Sequence, residues 1–372
     1  MSSGNNHSSE SENNRESSWC PSRREALKTL VGLPALGAVG AAGAGLGAGF
    51  LSHEERHLLA EEAGSAQGEG GQSAPKPDGR TGATRTSWEL PKIDELKAKV
   101  PHTMLGGLEV SRIIMGGNLI GGWAHSRDLI YVSELVKNYH TKEKVFQTFK
   151  LAEECGINTF SGNPVMQPML EEYWGKWNGK IQFISDCGGQ LDIRDGVKRA
   201  IDFGCDACYM HGGVSDYAAA NGDFKLFEDC FQIMRDAGYP AGMGAHHQST
   251  IDRVVEAGLM PDFFMKTFHH TDYWSAHAQS ENDNIFCREP DATREFMAKN
   301  DKPWIAFKVL AAGAIHPEVG FRFALEGGAD FLCVGMYDFQ MVYDVNLFCD
   351  IFKNIPARTR RMLPEVPVEP AS

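Results

Sequence analysis

Six titratable residues stand at or near the ends of short apolar segments in the middle and C-terminal parts of the chain. They are Asp186, His211, His246, Lys266, His269 and Lys308. Histidines together with a carboxylate bind a divalent metal and leave a position open for substrate. The predicted metal ligands are Asp186, His211, His246 and His269. A buried lysine near another cation loses its proton readily and acts as a base or Schiff-base nucleophile. The predicted catalytic residues are His211, Lys266, Lys308 and Asp186.

The elements that must position these side chains are eight apolar segments that alternate with amphipathic ones. The segments are Arg112–Gly116, Ile157–Ser161, Ile181–Asp186, Ala207–His211, Ala241–Ala245, Phe263–Phe268, Trp304–Val309 and Phe331–Gly335. Each is almost continuously apolar, as parallel strands buried on both faces are. The pattern predicts an α/β fold, a (β/α)8 TIM barrel, in which the strand ends converge on one mouth. The alternative is a doubly wound sheet, which would need a glycine-rich phosphate turn after its first strand.

The N-terminal region has the composition of a targeting segment followed by a linker. Ser22-Arg23-Arg24-Glu25-Ala26-Leu27-Lys28 precedes an uncharged run from Thr29 to Leu51, and this resembles a twin-arginine signal. We therefore expect residues 1–51 to be a signal region read by the twin-arginine export machinery. The protein would then be periplasmic, or tethered to the membrane and facing the periplasm; an ordinary N-terminal anchor is the alternative.

The rest of the chain divides by composition into three parts. Residues 52–88 are rich in Gly, Ser, Ala and Glu and are expected to be a flexible linker. Residues 89–357 are the predicted barrel, and residues 358–372 are a tail. An N-terminal hairpin is expected to plug the barrel.

Composition narrows the class of partner. The formal net charge of −13 argues against a nucleic-acid partner, because a nucleic-acid surface needs a basic stripe. The nine cysteines are an odd number set mostly in apolar surroundings, so they do not indicate a disulfide framework. Cys205 and Cys208 have zinc-like spacing but no second pair, and they are interpreted as structural. A small-molecule substrate is the expected partner.

Several segments resemble the aldo-keto reductases, a family of NAD(P)-linked barrel enzymes. They are Leu105–Ile113, Gly121-Gly122-Trp123, Ala152–Asn158, Asp206–His211 and Gly335–Asn346. The resemblance covers about residues 102–355. It implies a barrel closed by a hairpin before strand one, and it implies carbonyl reduction as the ancestral activity.

The catalytic and cofactor positions implied by that resemblance are mostly substituted. Ser161, Met166 and Asp186 stand where the family has Asp, Tyr and Lys, and only His211 agrees. Met166 has no proton to donate to a carbonyl. The cofactor positions hold Ala245-His246, Lys266, His269 and Tyr337-Asp338. An acidic residue at 338 repels the phosphate of NADP. The resemblance therefore predicts the scaffold, with a largely lost reductase tetrad.

Three functions remain open at this level. The first is a divergent enzyme that uses a divalent metal for isomerisation, elimination or hydrolysis at a carbonyl or hydroxyl of a small polar compound. Long inserts at residues 119–141 and 271–289 carry aromatic and charged side chains suited to a sugar-like ligand. The second is an oxidoreductase with a tightly bound NAD(P), and the third is a non-catalytic ligand-binding barrel.

Overall fold

The computed structural model describes residues 90–123, 129, 131–273, 276, 287–356 and 358–366. Eight parallel strands form a closed barrel in the order β10-β3-β4-β5-β6-β7-β8-β9. Their bounds are β3 Ile113–Gly116, β4 Thr159–Gly162, β5 Gln182–Ser185, β6 Ala207–Met210, β7 Ala241–Ala245, β8 Phe263–Thr267, β9 Trp304–Phe307 and β10 Phe331–Val334. The predicted TIM barrel is confirmed, and each of its strands falls within or beside a predicted segment.

Helices follow the strands and cover the outside of the barrel. They are α1 Asn118–Gly121, α2 Val132–Tyr139, α3 Lys142–Glu154, α4 Gln167–Trp177, α5 Ile193–Phe203, α6 Gly212–Asn221, α7 Phe224–Asp236, α8 Gln248–Glu256, α9 Pro290–Ala298, α10 Pro317–Glu326 and α11 Asp338–Asn354. Short 3-10 segments are Ile93–Glu95, Pro164–Met166 and Ala311–Gly313. Several helix starts are capped: the Thr141 side chain accepts a hydrogen bond from the Lys144 backbone N–H.

Side chains alternate between two apolar clusters along the strands. On β8, Phe264 packs in the outer layer between strands and helices, together with Phe268 just after the strand. Phe263 and Met265 face the lumen, where they pack with Ile114 of β3. Since successive strand residues point to opposite faces, this assigns every strand residue to the lumen or to the outer layer.

A small antiparallel sheet closes the end of the barrel opposite the strand C-termini. Strand β1 (His102–Leu105) pairs with β2 (Leu108–Ser111) and with β11 (Glu365–Val366). Leu105 and Val110 of the hairpin are fully buried in the lumen cluster, so the hairpin is a plug, as predicted.

Charged residues near the C-terminus are buried beside the same sheet. Asp330 is fully buried, with Arg358 and Arg360 at 3.7 and 3.5 Å. The Arg112 guanidinium donates hydrogen bonds to the Asp330 and Leu363 carbonyl oxygens. Residues 358–366 are therefore held against the barrel by charge pairing and by strand β11.

Some predictions fall on residues outside the described part. The signal region 1–51 and the linker 52–88 lie there, as do His125, Arg127, Trp274 and His277 of the two inserts. The export route, the localisation and the domain boundaries stay predictions. Across the residues that the structure does describe, no helix has the length and apolarity needed to cross a membrane.

Candidate functional site

Asp186 follows β5 at the mouth of the barrel, and its carboxylate is held by two donors. Asn163 Nδ2 donates to Oδ1 at 3.1 Å, and the Gly188 backbone N–H donates to the same oxygen at 2.8 Å. Burial raises the pKa of Asp186, and the neighbouring His211 and the two hydrogen bonds offset part of that effect. A carboxyl group with a raised pKa holds its proton more strongly than an exposed one and is a candidate proton donor.

His211 ends β6 and lies between Asp186 and the next strand end. A Cβ atom built on Gly188 would lie 3.1 Å from Asp186 Oδ1 and 3.4 Å from His211 Cδ2, so both side chains border the same small space. A Cβ atom built on Gly212, the residue after His211, would lie 3.0 Å from His246 Cε1, so His211 lies between Asp186 and His246. The ends of three neighbouring strands thus bring these predicted residues together.

His246 follows β7 and is hydrogen-bonded to Asp216 of α6. The Nδ1 atom lies 2.7 Å from Asp216 Oδ2, and Thr250 Oγ1 donates to Asp216 Oδ1 at 2.7 Å. Burial acts to raise the pKa of Asp216, but its hydrogen bonds from His246 and Thr250 leave that pKa lowered. Burial lowers the pKa of His246, although Asp216 acts in the opposite direction. An ionised Asp216 fixes the Nδ1 proton, so neutral His246 carries its basic lone pair on Nε2.

Lys308 follows β9 in a left-handed conformation, with φ of 56°. Ala311 and Ala312 have φ of 47° and 55°, so the turn after β9 holds three non-glycine residues in a region that costs free energy. The ammonium of Lys308 affects the pKa of His246 and Cys333, which places its charge at the mouth.

The catalytic role expected for Lys266 stays a prediction, and the structure gives the contacts of this side chain. It stands between Met265 and Thr267 on β8, and the alternation of the strand directs it toward the helix layer. Its ammonium donates to the His246 carbonyl at 2.8 Å and to the Thr267 carbonyl and hydroxyl, each at 2.9 Å. Burial lowers the pKa of Lys266. These contacts link β8 to the end of β7 next to His246.

His269 is buried, and both of its ring nitrogens have hydrogen-bond partners in the protein. Its Nδ1 lies 2.8 Å from the His270 carbonyl, and its Nε2 accepts from the Cys287 backbone N–H at 3.1 Å. Burial lowers its pKa to about 4. No three His, Cys, Asp or Glu side chains of the described residues are placed to hold a metal ion. The structure therefore groups Asp186, His211 and His246 but does not unite them with His269 as a metal centre.

Sequence reasoning missed three residues of this site: Asn163, Asp216 and Tyr209. Asp216 lies five positions after His211, on the helix that follows the same strand. Its partner His246 follows the next strand, and a contact between a helix and a neighbouring strand end leaves no sequence motif. Tyr209 had a usable signal, because it stands two residues before His211 and so shares its face of β6.

The lumen beneath the mouth is open to solvent in part. Tyr209, Phe307 and Cys333 face the lumen and pack against its apolar cluster, yet each retains some accessible surface. Leu105 and Val110 of the plug close the opposite end of the same cluster, so this surface faces the mouth. We call the space lined by these three side chains the lumen well.

The structure gives the surroundings of two positions that the family resemblance singles out. Met166 is buried in the outer apolar cluster. Asp338 accepts hydrogen bonds from the Tyr139 hydroxyl and, at 2.8 Å, from Lys144 Nζ. The region after β10 is therefore acidic and already paired. A separate groove of about 450 Å³ on the outer surface, lined in part by Asp252, Glu295 and Lys299, contains none of the mouth residues.

Comparisons with known proteins find structural neighbours at low sequence identity. No family model matches the chain, and no curated protein matches it. Among solved structures, a protein from Pseudomonas aeruginosa assigned to the aldo-keto reductases is 15% identical, over 70% of this chain and 99% of its own, with a TM-score of 0.47. A truncated 3-deoxy-D-arabino-heptulosonate 7-phosphate synthase from Thermotoga maritima is 12% identical, over 70% and 95%, with a TM-score of 0.43.

A third similar structure is the glycerol dehydrogenase of Gluconobacter oxydans. It is 12% identical, over 74% of this chain and 98% of its own, with a TM-score of 0.44. These proteins differ in activity, and at such identities the likeness concerns the barrel and carries no conclusion about chemistry.

Proposed function

We propose that the barrel mouth is the active site of an enzyme that moves protons on a small polar compound with adjacent carbonyl and hydroxyl groups. The single observation that carries the proposal is the His246–Asp216 pair, joined at 2.7 Å beside His211 and Asp186. Isomerisation and epimerisation of a sugar-like compound are the reactions that this arrangement favours.

The residues divide into a base and an acid. Neutral His246, oriented by Asp216, takes the proton from the carbon next to the carbonyl group. The C–H electron pair becomes the C=C bond of an enediolate, and the carbonyl π electrons move to the oxygen. Asp186, with its raised pKa, supplies a proton on the other side of the site. This proton goes to the carbonyl oxygen and gives a neutral enediol. His246 then returns its proton to the former carbonyl carbon, and the hydroxyl group of the neighbouring carbon gives its proton back to Asp186. Both residues are restored and the substrate is isomerised with no net oxidation.

Hydrogen–deuterium exchange tests this proposal without knowledge of the natural substrate. The full chain is incubated in D2O with glycolaldehyde, glyceraldehyde, dihydroxyacetone and a set of pentoses and hexoses. Proton NMR then follows loss of the C–H signal next to the carbonyl. We expect catalysed exchange for at least one member, and Asp216→Asn should lower its rate by about 10²- to 10⁴-fold, since it weakens the base.

Asp236→Asn is the matched control, because Asp236 is an exposed residue that accepts a hydrogen bond from Gln232 at the end of α7. It should leave the exchange rate unchanged. No exchange with any member of the set, or equal rates for Asp216→Asn and wild type, contradicts the proposal.

The same samples separate the two alternative chemistries. Elemental analysis and exchange in the presence of a chelator report a metal-assisted reaction, in which the metal would use Asp186, His211 or His246. Titration with NAD(H) and NADP(H), followed by fluorescence, reports an oxidoreductase. Oxidation of added NADPH by a carbonyl compound without exchange would replace proton transfer by hydride transfer as the function.

A further inference from the structure

Tyr209 is seated in the lumen by two glycines of the neighbouring strand. A Cβ atom on Gly242 would lie 2.5 Å from Tyr209 Cβ, and one on Gly244 would lie 3.1 Å from Tyr209 Cδ2. The first distance is shorter than real Cβ atoms allow and the second is a tight contact, so a side chain at 242 would displace Tyr209 and one at 244 would crowd its ring. The ring is therefore fixed against β7 and directed across the barrel.

The Tyr209 hydroxyl lies among groups of the site rather than in the apolar floor. Asp186 and Cys333 both act on it electrostatically, and Ser161 of β4 is a hydrogen-bonding neighbour. These groups belong to three other parts of the barrel wall, so the phenol reaches toward the centre of the lumen well. Burial first, and then the charge of Asp186, raise its pKa well above the usual range, so the hydroxyl keeps its proton.

Resting on the proposed function, we propose that Tyr209 donates a hydrogen bond to the substrate oxygen that gains negative charge, and that the substrate enters the lumen well to reach it. The rim residues His246 and Asp186 lie one layer above, at the strand ends. A carbonyl oxygen pointing down the well would thus meet the phenol while its neighbouring carbon stays at the rim.

The Tyr209 hydroxyl would stabilise the negative charge on the substrate oxygen because it is a donor already in position. As the base removes the carbon-bound proton, charge builds on the oxygen, and a fixed donor in a poorly solvated site stabilises that charge without reorganisation. The phenol donates throughout and does not need to lose its proton. Phe307, beside His246 at 5.5 Å between ring centroids, supplies an apolar wall that excludes water from the same space.

Tyr209→Phe removes only the hydroxyl, and its effect is measured in the deuterium-exchange assay with the best member of the compound set. We expect kcat for exchange to fall by about 10²- to 10³-fold with little change in KM, because the interaction strengthens in the transition state. The apparent pKa values in the pH–rate profile should not change, because they report the rim residues His246 and Asp186. Tyr217→Phe, which alters a residue that is 74% exposed, is the control.

A second variant tests entry into the well. Cys333→Leu adds bulk to the well without altering the rim, and KM for the same compound should rise about tenfold or more, as expected when a pocket is filled. Unchanged kcat in Tyr209→Phe, or unchanged KM in Cys333→Leu, overturns the inference while the proposed function stands. Absence of exchange in the wild-type protein overturns both.

Discussion

Asp344 is a buried carboxyl group whose titration should control the stability of the barrel near neutral pH. It is fully buried on α11, and its Oδ2 accepts a hydrogen bond from Gln340 at 2.8 Å. Its Oδ1 is buried with no hydrogen-bond partner among the described residues. Burial raises the pKa of Asp344 to about 7, and the Gln340 hydrogen bond offsets only part of that effect.

The sign and size of this pH effect on stability follow from the difference between the pKa of Asp344 in the folded and in the unfolded state. The ordinary pKa is 3.8, so between pH 4 and pH 7 the folded protein holds one more proton than the unfolded chain. Stability from this group is therefore greatest below pH 4 and is lost as the pH rises toward 7. A difference of about three pK units corresponds to about 4 kcal/mol.

Asp344→Asn removes this dependence because an amide cannot ionise. At pH 8 the variant should be more stable than wild type by as much as about 4 kcal/mol, and the advantage should vanish near pH 4. Urea unfolding of the full chain, followed by tryptophan fluorescence at several pH values, measures the difference. Asp350→Asn, on an exposed residue of the same helix, is the control. A difference between wild type and Asp344→Asn that is constant from pH 4 to pH 8 would refute this reasoning.

Two further residues carry stability predictions. The pKa of His269 is about 4 in the fold against 6.5 ordinarily, so the folded protein loses stability as the pH drops from 6.5 toward 4. Urea titrations should show that His269→Gln loses about 3 kcal/mol less of its free energy of unfolding than wild type does between pH 7 and pH 4. Asp330→Asn leaves Arg358 and Arg360 buried without a counter-charge and should cost about 3 to 5 kcal/mol in unfolding experiments, whereas Glu318→Gln on an exposed pair should change little.

The barrel could be predicted from the sequence because each strand is a short apolar run between helical segments. Trp304–Val309 shows why: it is nearly all apolar, as a strand covered on both faces must be. For the same reason the sequence could not show to which side of β8 the Lys266 side chain points. In a run that is apolar at every position, the sequence does not say which residues face the lumen, and only the register of the closed barrel settles it.

The candidate site was predictable where it depends on strand ends and unpredictable where it depends on contacts between elements. Asp186, His211 and His246 each follow a strand, and the parallel order brings them together. His269 also follows a strand, but the Cys287 backbone N–H engages its ring, and no local pattern announces that contact. Asp216 was missed for the same reason, since its partner lies thirty positions away on the next strand end.

The pairing of β11 with β1 sets an order of events during synthesis. Among the described strands β11 is translated last, so every strand of the barrel has left the ribosome before the floor sheet receives its third member. Arg358 and Arg360 reach Asp330 equally late. The β1–β2 hairpin is made before the barrel strands, so only the edge of β1 that pairs with β11 waits for its partner, for several seconds or less at ordinary elongation rates of about 5 to 20 residues per second. An unpaired strand edge is a template for pairing with another chain, so β11 protects this edge once it has been made.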